Sequence, residues 1–129
     1  MRKEALLSLT GGEIDEYAAL LGIDTTRLRA KAAKVERIEK ARQRTADIEV
    51  LGLTLTVPIK KMHDKRITDR MSLGTLSDSQ LDELMADLLG EGQMSKVYEH
   101  CTDDDGTIDV EAVALVYSTI MKADELKNF

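Results

Sequence analysis

The sequence predicts a mainly α fold of about five helices with one small β-hairpin or bulged strand. Three observations lead there. Apolar residues recur at three- and four-residue spacing in several segments, and a Gly closes most of them. One short stretch, "DIEVLGLTLTVP", switches to β-branched residues in alternation. Aromatics are scarce, with Tyr17, Tyr98, Tyr117 and Phe129 and no Trp. The core must then be Leu, Ile, Val, Ala and Met, which helices assemble readily.

The elements follow in order. Residues 4–9 are weakly amphipathic, and Thr10, Gly11 and Gly12 break them. A short helix is expected from about Glu13 to Leu21, with Ile14, Tyr17, Ala18 and Leu21 on one face and Gly22 as its stop. From Thr26 to about Ala46 there is neither Gly nor Pro, and Arg, Ala, Lys and Glu dominate. This predicts a long basic helix with a thin stripe of Leu28, Ala32, Val35 and Ile38, either projecting or lying in a partner's groove.

The alternating stretch then turns at Leu51-Gly52, with Ile48 and Val50 before it and Leu53, Leu55 and Val57 after it. Two strands alone are marginal, so they must pack on helices or pair across a homo-oligomer. Pro58 ends the strand and suits the first turn of a helix. A short basic helix follows, with Ile59, Met62, Ile67 and Met71 inward and Gly74 as its stop. Ser77 with Gln80 forms a capping-box pattern ahead of Leu81, Leu84, Met85, Leu88 and Leu89. Gly90 ends that helix, and another places Met94, Val97, Tyr98 and Cys101 inward. The last helix spans Val110 to about Met121, with Val113, Leu115, Val116, Ile120 and Met121 as core candidates, and residues 122–129 should fray. The methionines at 62, 71, 85, 94 and 121 read as core packers first and as a promiscuous binding surface second.

At 129 residues the chain has material for one modest core. It divides in character into an N-terminal helical segment, 1–46, and an α-rich segment with the β element, 47–129. Charge divides it too. Residues 25–44 carry +6 and residues 75–129 carry −10, within a total of −6. Such a split suits contact within the chain, head-to-tail contact between copies, separate partners for each half, or simply two solvated faces. No apolar run reaches membrane-spanning length, and the apolar run near the N-terminus is too short for a secretory signal. A single Cys excludes an internal disulfide and fits a cytoplasmic protein.

Chemistry finds little foothold. There is no Gly-rich phosphate loop, no metal-ligand pair at helical spacing and no nucleophile–base constellation, so neither an enzyme nor a cofactor is expected. "CTDDDGTID" resembles the middle of an EF-hand loop. With Gly106 at its sixth position, Asp103, Asp105 and Ile108 fit, but Cys101 and Ala112 fall where carboxylates are needed. The other reading is a turn with Asp109 capping the next helix. "EYAALLGIDTTRLRAKAAKV" resembles a helix-turn-helix, through Ala18, Gly22, Ile23 and Leu28. Arg27, Arg29, Lys31 and Lys34 would then meet nucleic acid, although the acidic remainder of the chain opposes it.

Residues from about 46 onward carry a more extended resemblance. A strand pair ending in Pro58, a basic helix, and a Leu-rich helix stepping through Leu88, Leu89, Gly90, Glu91 and Gln93 lead to an acidic turn and a closing helix. This layout is similar to the tail assembly chaperones of long-tailed, siphovirus-like bacteriophages and prophages. Gly92, where a helix former is usual, and the basic segment at 26–46 depart from it. The resemblance implies a non-catalytic protein that binds the tape measure protein or tube subunits before the tube polymerises. It places partner binding on Leu84, Met85, Leu88, Met94, Val97 and Tyr98, with the strand edge near Leu53 and Leu55 as a second contact.

Overall fold

The computed structural model describes all 129 residues, as eight α-helices, one 3-10 turn and one two-stranded antiparallel hairpin. The mainly α fold with a small hairpin is therefore as expected, with more and shorter helices. The chain forms two compact units: residues 1–44 with Asn128 and Phe129, and residues 45–127.

In the N-terminal unit, α1 (Lys3–Leu7), α2 (Gly11–Leu20) and α3 (Lys31–Arg42) enclose Leu6, Ile14, Ala18, Val35 and Ile38. Thr10 and the glycines start a helix rather than break one: α1 has already closed at Ser8. The Glu13 N–H donates to Thr10 Oγ1 at 3.1 Å, and the Thr10 N–H donates to Glu13 Oε1 at 3.0 Å. That reciprocal cap outweighs the poor helix propensity of Gly11 and Gly12 in the first turn. Gly22, at φ 76°, closes α2. The Ile23 N–H reaches Ala18 O at 2.9 Å and the Gly22 N–H reaches Ala19 O at 3.1 Å. This is the Schellman arrangement.

The long helix over 26–46 does not form. Residues 21–30 are non-helical, and α3 begins only at Lys31. Short polar side chains compete with the helix there: Asp24 Oδ1 accepts from the Thr26 N–H at 3.0 Å and from Thr26 Oγ1 at 2.6 Å. Nor does α3 project. It packs on α1 and α2 through Val35 and Ile38. The fraying tail is likewise corrected, because Leu126 and Phe129 are buried and the Phe129 N–H donates to Leu21 O.

In the C-terminal unit, β1 (Thr45–Val50) pairs with β2 (Leu53–Pro58), bringing Ile48 opposite Leu55 and Val50 opposite Leu53. Leu51 and Gly52 both have positive φ, 52° and 80°, the requirement of a two-residue type I′ turn. Leu51 is the costlier occupant, since its Cβ crowds the backbone in that region. The helix expected over 59–74 splits into α4 (Ile59–Met62) and α5 (Lys65–Met71). Asp64 lies between them and caps α5 by accepting from the Arg66 N–H at 2.9 Å.

The remaining helices are α6 (Asp78–Leu89), α7 (Glu91–His100) and α8 (Val110–Met121), followed by the 3-10 turn Asp124–Leu126. Ser77 and Gln80 make the predicted capping box, and Asp109 caps α8. On α8 the buried positions are Val113, Val116, Tyr117 and Ile120, whereas Leu115 is exposed and Met121 half-buried. Of the methionines, Met85 and Met94 are buried core, and Met62, Met71 and Met121 are half-buried.

Candidate protein-interaction surfaces

The residues that sequence reasoning placed at a partner-binding groove lie in the interior. Leu84, Met85, Leu88, Met94 and Val97 are all buried, and Tyr98 is half-buried. α6 packs on α7 and on β2, so the apolar face of each helix is already covered. Each such side chain contributes about 1.5–3 kcal/mol to the fold by leaving water. Helical periodicity shows that a face is covered, not by what.

A polar cluster sits beside this core. Tyr117 Oη donates to Asp82 Oδ1 at 2.7 Å and lies 3.3 Å from Tyr98 Oη. Burial pushes the Tyr117 hydroxyl well above its ordinary range, and the bonds to Tyr98 and Asp82 add to that. Tyr117 therefore acts as a neutral donor that ties α8 to α6. Sequence reading passed over Tyr117 and put Leu115 and Met121 on the inner face, since a hydroxyl partner 35 residues away leaves no local pattern.

The hairpin edges are unequal. In this register Thr56 lies opposite Asp47 and Thr54 opposite Glu49, and these pairs turn their backbone groups away from each other. Thr56 shows it directly: its N–H donates to Gln93 Oε1, and its carbonyl accepts from Gln93 Nε2, both at 2.7 Å. Gln93 Nε2 also donates to Leu89 O at 2.8 Å, which fixes the amide at the α6–α7 corner. One side chain thus imitates a neighbouring strand. Pro58 has no N–H to offer on the same edge. The β2 edge is therefore closed at Thr56, whereas Thr54, between Leu53 and Leu55, has no such partner; Leu55 itself is buried. The β1 edge stays open. It borders a groove of about 650 Å³ lined by Asp47, Ile48, Glu49, Thr119, Lys122, Asp124 and Glu125, with Thr54 across the hairpin.

The α8 face turned away from the core carries Val110 and Leu115, 63% and 47% exposed, together with Ala114 and Glu111. Ile108, two residues ahead of the helix, is exposed as well. The acidic loop beneath it is a turn. Asp105 Oδ1 accepts from the Thr107 N–H at 2.9 Å, Gly106 takes φ 86°, and Thr102 bridges to Ile108. Cys101 faces inward, where burial raises its thiol above the usual range. No three His, Cys, Asp or Glu side chains converge as metal ligands.

In the N-terminal unit the four basic residues singled out for nucleic acid differ in exposure. Arg27, Arg29 and Lys31 are exposed, but Lys34 is only 5% exposed. Its Nζ lies 2.6 Å from Asp15 Oδ1 and 3.3 Å from Thr25 O, and Thr25 Oγ1 donates to the same Asp15 oxygen at 2.7 Å. Lys34 is thus an internal strut between α3, α2 and the loop. The ten residues separating α2 from α3 also exceed the tight turn of a helix-turn-helix.

These contacts set a pH dependence. The Lys34 ammonium, then the Thr25 hydroxyl, hold the Asp15 carboxyl below its ordinary range. In the C-terminal unit, Arg66 pulls Asp64 down to about 2 through its side chain and backbone N–H. A carboxyl whose folded pKa is depressed stabilises the fold above its unfolded pKa and stops doing so as pH falls through the folded value. Melting temperature should hold above about pH 5 and fall as pH drops from about 4 toward 2. In a pH series followed by circular dichroism, Asp15→Asn should start lower at neutral pH and lose part of that acid slope.

The C-terminal unit holds seventeen acidic and eight basic residues, and the N-terminal unit seven and ten. No helix is long and apolar enough to cross a membrane. Comparison with known proteins adds no relative: no protein-family model, no curated protein and no solved structure matches this chain.

Proposed function

We propose that this protein is a non-enzymatic protein-binding adaptor of the cytoplasm, a tail assembly chaperone of a long-tailed phage or prophage. Its partner is the tape measure protein or the tube subunit, held before the tube polymerises. The observation that carries the binding role is the outer face of α8. There Val110, Ala114 and Leu115 stand where a surface helix usually carries charge, and the unit around them has a net charge of −9. Such a face suits an apolar helical surface flanked by basic residues, with burial supplying affinity and charge supplying orientation. The layout from residue 46 onward, with its Leu88, Leu89, Gly90, Glu91 and Gln93 step, supports the choice of family.

The test is co-purification of the tagged full-length protein with the tape measure and tube proteins of its own gene cluster, after nuclease treatment. The wild type should retain one of them, and the double variant Val110→Lys, Leu115→Glu should lose at least about tenfold while keeping its helical circular dichroism, since both sites are exposed. Recovery of DNA before nuclease treatment, with no tail protein retained, would overturn the reading in favour of a nucleic-acid-binding regulator.

A further inference from the structure

We propose that the outer edge of β1 captures an extended, lysine- or arginine-bearing segment of a partner protein by strand addition. The inference rests on the protein-binding reading and specifies a mode of contact separate from the α8 face.

The edge has the chemistry of an acceptor strand. Asp47 and Glu49 belong to pairs whose backbone groups point away from the partner strand, as the Gln93 bonds to Thr56 demonstrate for the residue opposite Asp47. Their outward N–H and C=O groups make no hydrogen bond within the protein, although α8 packs on β1. The groove beside them, lined in part by buried Ile48, gives an incoming chain room. An added strand would extend the two-stranded sheet to three, the number at which a sheet becomes stable in its own right.

Charge selects the occupant. Asp47, Glu49, Asp124 and Glu125 line the groove against a single cation, Lys122. Lys127 engages Asp124 at 2.6 Å, which leaves the other three carboxylates dominant. A second copy of this chain is disfavoured. Antiparallel pairing of β1 with itself sets Asp47 against Asp47, Glu49 against Glu49, or Asp47 against Glu49, according to register. Like charges directly opposite destabilise a strand pair. A strand with basic residues on its solvent face reverses each of those terms.

The experiment uses the full-length, 15N-labelled protein and a synthetic peptide in which lysine and valine alternate. Amide exchange at Asp47 and Glu49 should slow by at least about tenfold on adding it, and a glutamate–valine peptide should do nothing. Glu49→Pro removes an outward donor without touching the β1–β2 ladder, so it should abolish the protection and leave the dichroism unchanged. Should that variant unfold, a lysine–valine peptide methylated at alternate backbone nitrogens tests the same bonds from the other side. Peptide binding with no protection at these two amides, or equal binding by the methylated peptide, overturns the proposal.

Tail-protein retention separates this inference from the chaperone reading. Equal retention by wild type and a folded Glu49→Pro variant overturns edge capture and leaves the chaperone reading standing. Peptide protection with no tail protein retained supports the edge and overturns that reading.

Discussion

Leu88→Asp is expected to unfold the C-terminal unit. Leu88 is 1% exposed, on the buried face of α6 with Leu84, Met85 and Leu89. The change forfeits about 2–5 kcal/mol of packing and also strands a carboxylate in an apolar interior. The sum takes up most of the roughly 5–15 kcal/mol that holds a domain together. Loss of the helical dichroism signal, or a urea midpoint near zero, is the measurement. Glu83→Ala, on the exposed side of the same helix, should stay within about 0.5 kcal/mol of wild type. A pull-down that fails with Leu88→Asp therefore reports unfolding, and docking has to be probed at Val110, Leu115 and Glu49.

Gly90→Ala and Gly92→Ala should move stability in opposite directions. Gly90 sits at the α6–α7 corner with φ 82° and ψ 158°, a region that residues with a Cβ essentially do not enter. A Cβ there meets no neighbouring atom, so the cost is conformational: about 1–3 kcal/mol. Gly92 lies in the first turn of α7 at an ordinary helical φ, also with open space around it. Alanine there restricts the unfolded chain and should stabilise by about 0.4–1 kcal/mol. Urea unfolding separates the two if the slope stays constant and only the midpoint moves.

Local chemistry was legible in the sequence. The Ser77–Gln80 box, the Asp109 cap, the Leu51-Gly52 turn and the stops at Gly22 and Gly90 each depend on residues within a few positions, and each forms. Two helix lengths were misread for a related reason. Asp24, Thr25 and Thr26, and later Asp64, use their side chains on backbone or neighbouring groups that a propensity reading leaves out. Partnership was the hidden part. Lys34 reads as a solvated cation until Asp15, nineteen residues earlier, is placed against it. Leu88 and Met94 read as a groove until β2 and the neighbouring helices cover them. Which hairpin edge stays open depends on Gln93 reaching across 37 residues to Thr56, a distance no local pattern encodes.

The Gln93 amide has a consequence for assembly in crowded conditions. A hairpin with two free sides is bivalent: it can take a strand on each flank and so become a link in an open-ended fibre. With Thr56 occupied and Pro58 lacking a donor, only Thr54 is left to bond on that flank, and the two flanks are unequal. The hairpin can end a growing sheet more readily than it can pass the growth on. Gln93→Ala would restore the second valence, and slow concentration-dependent aggregation of an otherwise folded protein is the phenotype to look for.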